Sequence, residues 1–111
     1  MLRYILVSLV LFVAGLSAGA VDYTVEQIPN VHVADKTQYV TNPDGILSQE
    51  AVGQLNAQLA DIWAQSSAEV VAVVVRSIGD AEINDFATRL FEYWGIGKKD
   101  TSNGLLILVV E

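Results

Sequence analysis

The chain has 111 residues, 52% of them hydrophobic, no cysteine and a formal charge of −7. That length admits one small domain, since single domains run to about 100 to 150 residues, and it excludes a multidomain enzyme. Six Lys+Arg against 13 Asp+Glu leave no basic footprint for a phosphate backbone, which argues against nucleic-acid binding. Without cysteine there is no disulfide framework, thiolate zinc site or cysteine nucleophile, so stability rests on packing.

Arg3, the apolar run Tyr4 to Leu16 and the small residues Ser17 to Ala20 follow the order of a secretory signal, with Ala18 and Ala20 forming the cleavage site. A membrane anchor is the competing reading, because the 18 residues from Tyr4 to Val21 carry no charge and about 20 apolar residues span a bilayer. Either reading makes the domain exported: periplasmic, extracytoplasmic or membrane-associated.

From Val21 to Thr41 two weak alternating patches, Tyr23 with Val25 and Val31 with Val33, are split by Pro29 and Asn30. They predict an extended lead-in, laid as a strap across the core. Asn42-Pro43-Asp44-Gly45 is a turn, with proline presetting φ and Asp-Gly tolerating positive φ. Ser48 caps a helix whose Val52, Leu55, Leu59, Ile62 and Trp63 share one face, and Ser66-Ser67 ends it. Val70 to Val75 is apolar on both faces and reads as a buried strand.

Gly79-Asp80 breaks that run, and Asp80 is the expected cap of a second helix. Its Ile83, Phe86, Ala87, Leu90, Phe91 and Trp94 recur at helical spacing. Both tryptophans fall on apolar helix faces and are assigned to the core. Gly95 suits the left-handed residue that closes this helix, and a polar loop runs on to Gly104. Gly95, Gly97, Lys98 and Lys99 invite a phosphate-cradle reading, but the loop passes from helix to strand, the reverse of the phosphate-binding order. Leu105 to Val110 then reads as a fully buried strand.

The order helix, strand, helix, strand predicts an α/β fold with a right-handed, parallel βαβ unit. A buried strand needs partners on both edges, and too few strands precede the last one. The expectation is therefore a fragment of a longer protein, with C-terminal strands missing from this chain.

With these segments placed, Tyr39 to Ser48, Val70 to Val75, Phe86 to Gly97 and Asn103 to Val110 resemble, in order and spacing, four conserved stretches of the TPM-domain family. Ile28-Pro29 fits the family's lead-in, so the likeness covers roughly residues 25 to 111. The resemblance implies a three-layer αβα sandwich with a mainly parallel central sheet in an exported or lumenal protein. It also implies weak acid phosphatase activity and calcium binding, known from a plant lumenal branch concerned with photosystem II repair, while other branches are accessory proteins without established chemistry. Family members usually continue into a charged turn, a glycine-rich stretch and often a transmembrane helix. The chain accordingly divides into a signal or anchor (1–20), a lead-in (21–41) and an incomplete TPM domain (42–111).

Ligands of open α/β sheets collect beyond the carboxyl ends of the strands. Topology sends Asp44, Asp80 and Glu111 to that edge, with Glu82 in reserve, and these carboxylates are the candidate ligands of a Ca²⁺ ion, which prefers six to eight oxygens. Each also has a structural role open to it: Asp44 in a turn, Asp80 as a cap, Glu82 as a first-turn charge, Glu111 as a strand exit. Arg76 and Ser77 leave the same edge, but no histidine lies near enough in sequence to activate Ser77. His32, the single histidine, reads as a surface or packing residue, and Asp100 and Asn103 belong at the opposite edge. The leading expectation is an exported accessory domain acting by binding, with Ca²⁺ dependence, at an envelope or membrane protein complex. The alternative is a metal-assisted acid phosphatase acting on phosphomonoesters.

Overall fold

A computed structural model of the chain describes residues 21–97 and 103–111. The signal or anchor segment 1–20, together with Lys98, Lys99 and Asp100 of the polar loop, lies outside the described residues. Helix α1 (Val31–Ala34) precedes strand β1 (Val40–Thr41), helix α2 (Gln49–Ser66), strand β2 (Glu69–Val75), helix α3 (Ile83–Trp94) and strand β3 (Gly104–Val110). The strands form one parallel sheet in the order β1-β2-β3.

Register explains the layers. On β2 the side chains of Val71, Val73 and Val75 share a face with Leu106, Leu108 and Val110 of β3, their partners in the ladder. Val73 and Val75 pack there with Phe86 and Leu90 of α3 and with Val25 and Ile28 of the lead-in. The other face of β2 carries Val70 and Ala72, which pack with Val40 and with Leu59 of α2. Helices on both faces of a parallel sheet give the expected α/β sandwich.

The helix boundaries have local causes. The Ser48 hydroxyl accepts the Ala51 N–H at 3.1 Å and starts α2; Ser67, left-handed at φ 60, ends it. Gly95, at φ 67, closes α3 as its sequence position implies. The cap of α3 is Glu82 rather than Asp80: its carboxylate accepts the N–H groups of Asp85 at 2.8 Å and Asn84 at 3.1 Å. A two-residue offset in the cap sends Asp80 into the preceding turn.

Three further expectations need correction. The lead-in is a strap, with Val25 and Ile28 buried, but it is not extended throughout: a 3-10 turn covers Val25–Gln27 and α1 follows, capped by the Asn30 side chain. Its end supplies β1, which is too short to show alternation. β3 is not buried on both faces, because α2 packs on β1 and β2, and Leu105, Ile107 and Val109 are left 54%, 43% and 47% exposed. Trp63 is not a core residue either. It is half exposed on the last turns of α2, whereas Trp94 is partly buried against both core clusters.

Candidate functional site

The carboxyl edge is built around the turn that ends β1. Gly45 N–H closes it onto Asn42 O at 3.2 Å, and the Asn42 amide clamps Leu47 from both sides, accepting its N–H and donating to its carbonyl. This rigid turn aims Asp44 across the edge. Its Oδ2 accepts the backbone N–H of Arg76 at 2.9 Å and its Oδ1 accepts the Tyr23 hydroxyl at 3.2 Å. Asp44 therefore fastens the β1 turn, the exit of β2 and the lead-in to one another. Burial first, and then the hydrogen bond and negative charge of Asp44, raise the Tyr23 hydroxyl above its ordinary pKa.

Arg76 faces the other way with its side chain, 3.5 Å from Glu111 where the chain leaves β3. Glu111 N–H continues the ladder by donating to Val75 O at 3.0 Å. One residue on, the Ser77 hydroxyl donates to the Asp22 carboxylate and accepts the Gly79 N–H at 3.0 Å. Asp22 and Ser77 also form a parallel bridge, with Tyr23 N–H donating to Ser77 O at 3.0 Å.

Of the four carboxylates nominated from the sequence, Asp44 and Glu111 meet at Arg76, one on its backbone and one on its guanidinium. Glu82 spends both oxygens on the start of α3, and Asp80 is exposed in the turn between β2 and α3. Among the described residues no group of three or more His, Cys, Asp or Glu side chains is placed to hold a metal ion. Four carboxylates on one edge are thus not gathered into one ligand set.

Sequence reasoning missed Asp22 and Tyr23. Their contacts with Ser77 and Asp44 span 55 and 21 residues, and no local pattern encodes such a pairing. His32 has a packing role: its Nδ1 donates to Gln38 O at 2.9 Å and its ring lies 4.5 Å from that of Tyr39. At the opposite edge, Asn103 O accepts the Glu69 N–H at 2.9 Å.

The comparisons with known proteins agree with this architecture. The chain is similar to the solution NMR structure of the N-terminal domain of a protein from P. gingivalis, at 39% identity and a TM-score of 0.72. The alignment covers 79% of this chain and 56% of that one, so the chain spans less than two thirds of that neighbour. No curated protein matches. Residues 40–111 match the TPM domain, and on that match the chain belongs to the TPM domain family.

Proposed function

We propose that this TPM domain is an exported accessory module that acts by binding a protein of the envelope or its membrane complex, with β3 as the docking strand. The observation that carries this reading is the row Leu105, Ile107 and Val109, exposed along one face of β3. Apolar side chains gain about 25 cal/mol for each Å² taken out of water. Calcium is left out of this reading, because Asp44, Glu82 and Glu111 spend their carboxylates on Tyr23, Arg76 and the cap of α3.

The test is fractionation of the protein in its own cells. Wild type is expected with the envelope, and Ile107→Lys in the soluble fraction with an unchanged circular dichroism spectrum. A variant that still fractionates with the envelope, and is released from it by alkaline carbonate, which frees peripheral proteins but not a chain anchored through residues 1–20, rejects β3 as the docking strand. Wild type in the soluble fraction throughout rejects the membrane complex.

A second reading, acid phosphatase activity, has one specific support, the hydroxyl of Ser77 directed at the Asp22 carboxylate. In that reading the Ser77 oxygen attacks phosphorus as Asp22 takes its proton, the P–O bond to the ester's alcohol breaks and the alcohol leaves with a proton from Asp22, and water then hydrolyses the phosphoserine to release phosphate and restore Ser77. Phosphomonoester hydrolysis that disappears in Asp22→Asn would establish it, and hydrolysis unaffected by that change would remove it.

A further inference from the structure

The edge of the sheet opposite Asp44 carries a cleft of about 570 Å³, within the size range of small-ligand sites. Five segments meet there: α1, the approach to β1, the start of β2 at Glu69, and the C-terminal ends of α2 and α3. The walls are aromatic, with Trp63 and Trp94 contributed by the two helix ends and Tyr39 and His32 stacked on one another. Glu69 supplies a carboxylate and Lys36 an ammonium group.

We propose that this cleft binds an organic cation, an ammonium or guanidinium group carried on an apolar body. Three independent features select that chemistry. Indole and phenol faces carry negative quadrupole potential and attract a cation within about 6 Å, tryptophan most strongly. Two helices end at the cleft, and a helix C-terminus bears roughly half a negative charge that basic side chains in the last turn usually offset. Neither α2 nor α3 has a basic residue in its last turn, so both ends stay uncompensated by their own helices. Glu69 adds a full charge, and its Oε1 accepts the Gly97 N–H at 3.0 Å, which holds the carboxylate in place.

Trp63 is half exposed and lines the cleft, so its indole is open to a ligand there. Lys36 is the one opposing charge among the described residues that line it. It is exposed, free to swing into solvent, and its removal should strengthen binding.

The experiment is titration of the tryptophan emission of the intact chain with choline, with Nα-acetyl-arginine methylamide and with 3,3-dimethylbutan-1-ol, the neutral isostere of choline. Saturable binding of either cation with none of the alcohol is expected. Choline alone points to a free small molecule, and the arginine derivative alone to a side chain of a partner. Trp63→Ala, read through Trp94, should weaken binding about tenfold. Glu69→Gln, which keeps an acceptor for Gly97, should weaken it about fivefold, and Lys36→Ala should tighten it. Equal binding of the alcohol overturns the proposal, as does no saturable change with either cation, or an affinity that none of the three substitutions moves.

Discussion

Asp44→Ala removes the side chain that fastens three segments of the carboxyl edge. The carboxylate accepts two hydrogen bonds, one from the exposed backbone of Arg76 and one from the half-buried hydroxyl of Tyr23. Hydrogen bonds to a charged group contribute about 1.5 to 3 kcal/mol when shielded and less in contact with water, so a loss of about 2 kcal/mol is expected for the pair. In a domain of this size that lowers the melting temperature by about 10 °C. Asp44→Asn retains an acceptor and should fall between wild type and alanine. The same contacts set a pH dependence. Tyr23 titrates above its ordinary value of 10.0 in the folded protein, by burial first and by Asp44 second. The protonated phenol therefore contributes stability that is complete below the unfolded value and lost as pH rises through the folded one. Without Asp44 only burial remains, so Tyr23 should ionise at lower pH and the alkaline loss of stability should be shallower. Thermal unfolding between pH 7 and 11, with tyrosinate absorbance, reads both effects. A melting temperature within about 1 °C of wild type together with an unchanged tyrosinate titration would refute the account of this edge.

Other substitutions test separate parts of the structure. Glu82→Ala should cost about 1 kcal/mol in urea denaturation through loss of the α3 cap, and Asp80→Ala less than about 0.5 kcal/mol; the reverse order would return the cap to Asp80. Gly97 sits at φ +65, and a Cβ there would lie 2.5 Å from Gly104 N. Gly97→Ala is accordingly expected to cost at least about 2 kcal/mol, against about 1 kcal/mol for Gly95→Ala, where the added carbon meets open space; equal costs would argue against a tight pinch between Gly97 and Gly104. Phe86, 1% exposed between α3 and the lead-in strap, should cost about 3 to 5 kcal/mol as Phe86→Ala, a large part of the stability of a small domain. Calcium titration by calorimetry is expected to give no saturable heat; saturable binding that is lost in the Asp44→Ala, Asp80→Ala double variant would instead establish a carboxyl-edge cation site.

What was legible in the sequence is what short-range patterning controls. The β-branched run of β2, the 3.6-residue recurrence of Phe86 and Leu90, the Ser48 cap and the Gly95 stop each follow from interactions within a few residues, and each stands in the structure where those interactions put it. Topology carried the argument one step further and brought Asp44, Arg76 and Glu111 to one edge. Reasoning failed where burial depends on a distant element. Trp63 lies on the apolar stripe of α2, but the helix outruns the strands it covers. The alternating exposure of β3 depends on how far α2 extends over the sheet, which the uninterrupted apolar run Leu105 to Val110 does not encode. The two-residue β1 and the Asp22 to Ser77 clamp are held by partners remote in sequence.

The central claim, that β3 docks on an envelope partner, is tested most directly by site-specific photo-crosslinking in the native cell. A photoreactive phenylalanine derivative at position 107, with one at the exposed position Glu50 of α2 as control, is illuminated before fractionation. The account predicts one discrete adduct with an envelope component from position 107 and none from position 50. An exclusively intramolecular product from position 107, or the same adducts from both positions, would contradict it.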